Sequence, residues 1–189
     1  MKIEDYNAKK IKLKKEGAIY YAKKMGRLGY TNLRSGDLSK FKLIHAKVKM
    51  IKNKQKGKGT PLLCGIHRLK SYQNDLCLHE SKEGIYFYHF HDKHIYGRGK
   101  YFGIKTDLKF DSNGECLTIQ VDRTNDLLSF IDDQKKNWSI QLSKVVGEDP
   151  FAFSFEMYET NVEFQFQFFV NTPTEFPDTD SYREKCFIF

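Results

Sequence analysis

Residues 83–103 read EGIYFYHFHDKHIYGRGKYFG, a dense run of side chains able to do chemistry. His89, His91 and His94 stand beside Asp92, and imidazole and carboxylate are ordinary ligands of zinc and iron. On a strand, His89 and His91 point to one side, which allows two ligands, with His94 or Asp92 at the strand end as a third. No histidine follows His94 to complete such a set. These histidines therefore read as surface or hydrogen-bonded groups, and no metal site is expected.

Behind them, Gly97, Arg98, Gly99, Lys100, Tyr101 and Phe102 mix basic and aromatic side chains, the ingredients of a surface that stacks on bases. Gly97 and Gly99 also suit a plain turn. Cys64 lies three residues before His67, a pairing that could activate a thiolate, but nothing in the sequence orients either residue. The C-terminal CFIF fits a prenylation box. With only Arg183 and Lys185 upstream, a terminal strand is the preferred reading.

The chain that must position these groups has 189 residues and a net charge of +8. Residues 1–61 carry 18 Lys and Arg against 4 Asp and Glu, a balance of +14, and residues 62–189 carry a balance of −6. So basic a segment either spreads over a solvated face or meets a polyanion. The four cysteines show no CxxC spacing, which fits reduced thiols and a cytoplasmic setting. No apolar run is long enough to span a membrane, and the N-terminus lacks the apolar core of a secretion signal.

EDYNAKKIKLKKEGAIYYAKKMGRLGY reads as helical, with Ile11, Ala18, Ala22 and Met25 near one face and Gly26 and Gly29 at its stop. DLSKFKLIHAKVKMI fits a helix through Leu38, Phe41, His45 and Val48. It fits a strand equally through Ile44, Ala46, Val48 and Met50. With LLCGIHRL after the basic KNKQKGKGTP, a hairpin with a lysine-rich tip is one reading. From residue 84 onward short aromatic and β-branched runs predict strands, Asn113-Gly114 predicts a hairpin turn, and RTNDLLSFIDD predicts a short helix. Phe151, Phe153, Phe155 and Met157, then Val162, Phe164, Phe166, Phe168 and Val170, alternate with smaller or polar residues. That pattern predicts a hairpin turning near Glu159-Thr160-Asn161, with its phenylalanine face in the core.

Four short pieces carry resemblances. The histidine cluster is similar to the HxHxDH signature of metallo-β-lactamase-type hydrolases, but Asp92 follows His91 directly, one place too early. GRGKYF is similar to an RNA-recognition strand, but Lys100 breaks that pattern's register. Lys82–Phe87, KEGIYF, resembles the GIYF strand of ADP-ribosyltransferases of the poly(ADP-ribose) polymerase and diphtheria-toxin type. That resemblance implies NAD as cofactor, with Tyr86 stacked on nicotinamide. His67 or Arg68 would hold the ribose, and Glu156, Glu159 or Glu163 would stabilise the oxocarbenium-like transition state. LTIQVDRTNDLLSF also resembles a strand-then-DLL segment of that superfamily. His67 is followed by Arg where a Gly is usual, and no Ser-Thr-Ser triplet is present.

The expected fold is a single α+β domain over residues 1–189. Its basic, partly helical N-terminal third (1–61) packs on a largely antiparallel sheet or split β-barrel (62–189). The first functional expectation is a basic cytoplasmic protein that binds nucleic acid. Phosphate contacts would come from Lys10, Lys14, Lys47, Lys49, Lys54 and Lys56, and base contacts from Arg98 and Tyr101. The alternative is an ADP-ribosyltransferase-like toxin or effector using NAD, and a further alternative is a non-catalytic protein that binds a partner protein.

Overall fold

A computed structural model describes residues 1–26, 29–52, 62–74, 77–88, 94–97, 103–110, 112–158 and 162–170, without the side chains of His79, Tyr88 and His94. In its N-terminal part, Ile11 and Leu13 alternate with Lys12 and Lys14, a period of two that suits a half-buried strand. Gly17 takes φ 57° at the first of two turn positions, as tight hairpin turns require. The result is a hairpin of β2 (Ile11–Glu16) and β3 (Ile19–Lys24) in place of the expected helix.

Two seven-stranded sheets follow from such pairings. In spatial order the first sheet holds β1 (Ile3–Tyr6), β4 (Thr31–Ser35), β13 (Phe151–Met157), β6 (Leu62–Arg68), β7 (Gly84–Tyr88), β8 (His94–Gly97) and β9 (Ile104–Lys105). The second holds β12 (Asn137–Gln141), β11 (Leu127–Asp132), β10 (Cys116–Asp122), β5 (Leu43–Lys52), β14 (Glu163–Phe169), β3 and β2. Every strand pairing among the described residues is antiparallel.

The apolar faces of the two sheets meet and form the core. Phe155 stacks on Phe166 with ring centroids 4.9 Å apart, and Phe153 on Phe168 at 5.7 Å. Tyr20 stacks on Phe166 from the same sheet at 5.2 Å. Phe87 and Phe130 reach across at 6.3 Å. One turn of helix, α1 (Ser143–Val146), is held by Asp126, whose carboxylate accepts from the Ser143 backbone N–H at 2.8 Å and from its hydroxyl at 2.6 Å. It tucks Val145 and Val146 into the core.

The architecture is therefore a β-sandwich, and the α+β expectation is corrected. Among the described residues the stretch 4–30 contains no helix, because its apolar positions serve a hairpin. DLSKFKLIHAKVKMI resolves to its strand alternative, β5. DLLSFIDD is β11, since Asp126 adopts φ 52° and turns the chain tightly out of β10. The phenylalanine segments are strands with a buried apolar face, as expected, but β13 and β14 belong to opposite sheets. Their phenylalanines face each other across the core instead of lying side by side in a hairpin. β5 and β6 likewise part to different sheets, so they form no lysine-tipped hairpin; residues 53–61 lie outside the described set.

Candidate functional site

Of the six residues expected to act with NAD, three converge: His67, Tyr86 and Glu156. Strands β13, β6 and β7 are neighbours, and the face of this sheet turned away from the core carries Glu156, Ser154, His67 and Tyr86. The connection from β6 to β7 folds back over that face with two short 3-10 turns, Leu69–Ser71 and Leu78–Glu80. It delivers Tyr72 and Leu78, which enclose Leu63 and Tyr86 together with Tyr96. What might have been an open cleft is a second, smaller packed layer.

Inside it each group has a structural job. One His67 ring nitrogen, Nδ1, lies 2.7 Å from the Arg68 carbonyl oxygen, and Nε2 lies 3.0 Å from the Ser81 hydroxyl. Burial holds its pKa below the ordinary value, so the ring stays neutral. Tyr86 is 0% exposed and tilts against His67 with centroids 6.2 Å apart. Its ring lies over Gly84: a Cβ there would stand 2.4 Å from the Tyr86 hydroxyl oxygen. Gly84 is glycine for this tyrosine, and the GIYF run needs no nucleotide to explain it. Burial, followed by the charge of Glu156, pushes the phenol pKa well up. Glu156 is spent as well, accepting from the backbone N–H of Leu78 and so fastening the covering segment to β13.

Arg68 points the other way from its neighbour His67. Its guanidinium donates to Glu83 and pairs with Asp149, both at 3.2 Å, and donates to the Val145 carbonyl at 3.2 Å. It ties β6 to the start of β7 and to the last turn of α1. Glu163 lies on the outer face of the opposite sheet, paired with Lys23 at 2.7 Å, and shares no site with Tyr86. Glu159 lies outside the described residues. Cys64 faces the core while His67 faces outward, so the two cannot act together. Burial pushes the Cys64 thiol far up, and those of Cys77 and Cys116 to about 11 and about 12.

The lysines expected to meet phosphate lie elsewhere. Lys14, Lys47 and Lys49 stand on the outer face of the second sheet, and Lys10 lies in the turn before β2. Lys54, Lys56, Arg98 and Tyr101 lie outside the described residues, as do His89, His91 and Asp92. Among the described residues no three His, Cys, Asp or Glu side chains are grouped to hold a metal, and no helix is long and apolar enough to cross a membrane.

Cross-strand register sets Lys14, Lys49 and Glu163 among residues that the sequence reading left unassigned. One row of the second sheet's outer face runs Lys12, Lys23, Glu163, Lys52, and the next runs Lys14, Tyr21, Gln165, Lys49. A small pocket of about 20 Å³ lies at the β2–β3 end, lined by Lys12, Lys14, Tyr21, Lys23, Ile51 and Glu163. The alternation of Lys12 and Lys14 with Leu13 was the available signal, hidden by the helical reading.

No protein-family model matches the chain, and no curated protein sequence matches it. Its fold does match solved structures. The SPRY domain of human HERC1 superposes with a TM-score of 0.59 at 12% identity, over 87% of this chain and 96% of that one. The TRIM65 PSpry domain gives 0.55 at 6% identity, over 85% of each chain. The carbohydrate recognition domain of Emp46p gives 0.56 at 13%, over 86% of this chain and 87% of that one. The chain thus has the SPRY and lectin-like sandwich fold.

That fold overturns the resemblance to ADP-ribosyltransferases, and with it NAD as cofactor and the toxin or effector reading. The short GIYF match reflected a buried aromatic strand. The nucleic-acid reading is corrected too. The described part of the basic third is not partly helical but forms strands distributed over both sheets of a sandwich shared with SPRY and lectin-like domains.

Proposed function

We propose that the chain is a non-catalytic binding module that recognises another protein through side chains displayed on its sandwich. The observation that carries this reading is the fate of the reactive groups. His67, Arg68, Tyr86 and Glu156 are all buried, and each packs or bonds to hold a layer in place. What such a molecule offers a partner is its shaped and charged exterior. The fold shared with the SPRY domain of HERC1 and the TRIM65 PSpry domain is compatible with that role.

The test uses the whole chain, immobilised, against extract from its own cells. A partner protein that binds saturably, competes with free chain and forms a binary complex when purified supports the reading. Nicotinamide release from NAD that falls on Tyr86→Phe would overturn it. Selective binding on a glycan array with no protein partner would overturn it in favour of sugar recognition, the role named for the Emp46p domain.

A further inference from the structure

The outer face of the second sheet is charged in one sense. Lys12, Lys14, Lys23, Lys47, Lys49 and Lys52 stand on it through β2, β3 and β5, against Glu16 and Glu163. Lysine on an edge strand has an ordinary purpose, since it keeps other chains from pairing with the sheet. That accounts for β2, the last strand in the order. It does not account for Lys23, Lys47 and Lys49, which lie on interior strands. Lys14 pairs with Glu16 and Lys23 with Glu163, and the lysines of these strands outnumber the glutamates, so the face carries a net positive charge.

Between the first two rows lies the pocket walled by Tyr21 and Ile51 and rimmed by Lys12, Lys14 and Lys23. Gln165, in the row between Tyr21 and Lys49, is 1% exposed, and its amide nitrogen has no acceptor. A buried donor without an acceptor costs free energy that an incoming oxygen recovers. Rows on one face of a strand are about 6.8 Å apart, the spacing of alternate side chains on an extended peptide.

Resting on the reading of the chain as a protein-binding module, we propose that this face docks an extended acidic segment of the partner. Carboxylates of the segment meet Lys12, Lys14 and Lys49, and one apolar side chain packs over the pocket mouth against Tyr21 and Ile51. A carboxylate or carbonyl that displaces the side chains flanking Gln165 also satisfies its amide. The apolar walls, Tyr21 and Ile51, suit a peptide side chain and offer a phosphate backbone nothing to solvate it.

The probe is a fluorescein-labelled glutamate-rich peptide with one central leucine, followed by anisotropy with the full chain. Lys14→Glu and Lys49→Glu should each weaken binding about tenfold, with k_on and salt dependence falling together. Replacing the peptide's leucine by serine should weaken it about tenfold as well. Lys144→Glu, at an exposed position of α1, should change nothing, and thermal melts confirm that the variants fold. No binding at low salt, or equal loss with Lys144→Glu, overturns the proposal. So does an oligodeoxynucleotide of equal charge that binds as tightly and loses binding to the same variants, which would make the face a general polyanion surface. A cellular partner captured equally by wild type and by Lys14→Glu/Lys49→Glu would overturn this face alone and leave the module reading standing.

Discussion

Tyr86 shows how one side chain can look like chemistry and serve as architecture. Its hydroxyl is wholly buried and makes no hydrogen bond among the described residues, while its ring fills the space that Gly84 leaves open. Tyr86→Phe should therefore leave stability unchanged or raise it by up to about 1 kcal/mol in urea unfolding, because an unsatisfied polar atom is removed. Gly84→Ala should cost about 1–3 kcal/mol, because the added methyl meets the tyrosine and the Ile66 carbonyl. His67 gives a pH signature. Its native pKa lies below the ordinary 6.5, so near neutrality both states are unprotonated at this ring. As pH falls below 6.5 the unfolded chain takes the proton first, and stability is lost until the lowered native value is passed. His67→Gln should remove that part of the slope in unfolding curves measured from about pH 7.5 to about pH 5. If wild type and variant keep parallel pH curves, the ring is not held neutral.

Among the elements, β13 and β14 teach the most about what can be read from sequence. Their alternation of phenylalanine with small or polar residues made two strands with a buried face legible. It could not say whether they pair with each other or face each other, because a period of two records which side is buried and not what lies on that side. In the structure Phe155 packs against both Phe164 and Phe166. Phe155→Ala should cost about 3–5 kcal/mol in unfolding free energy, a loss too large for a residue at a hairpin's edge. The N-terminal hairpin was illegible for another reason. Ile11, Ala18, Ala22 and Met25 happen to fall near helical spacing, and only Gly17 marked the turn. The convergence of His67, Tyr86 and Glu156 was legible as proximity, but not their burial. The segment that covers them, residues 69–83, has no periodicity announcing that it folds back.

For the molecule as a whole, sheets assembled from distant segments set the pace of folding. Ser154 pairs with Arg34 and Phe166 with Tyr20, so the last strands described close on the first. Loops this long must close before their contacts stabilise anything, and refolding should take milliseconds to seconds in stopped-flow fluorescence of Trp138. A microsecond phase carrying the full amplitude would contradict that topology. The charge asymmetry of the sequence also finds its place at this scale. The basic first third is not a separate arm, and its lysines on β2, β3 and β5 become one side of a sheet only when β14 joins them.

The same interleaving governs how the chain can be dissected. β4 is flanked by β1 and β13, and β5 by β10 and β14, so strands distant in the sequence lie side by side in both sheets. A deletion that reaches β4 or β14 would strip an interior strand and leave raw edges on what remained. A deletion series would then score such cuts as a loss of binding, whichever surface the partner uses. Mapping the interface on this protein calls for single side-chain substitutions on an intact chain.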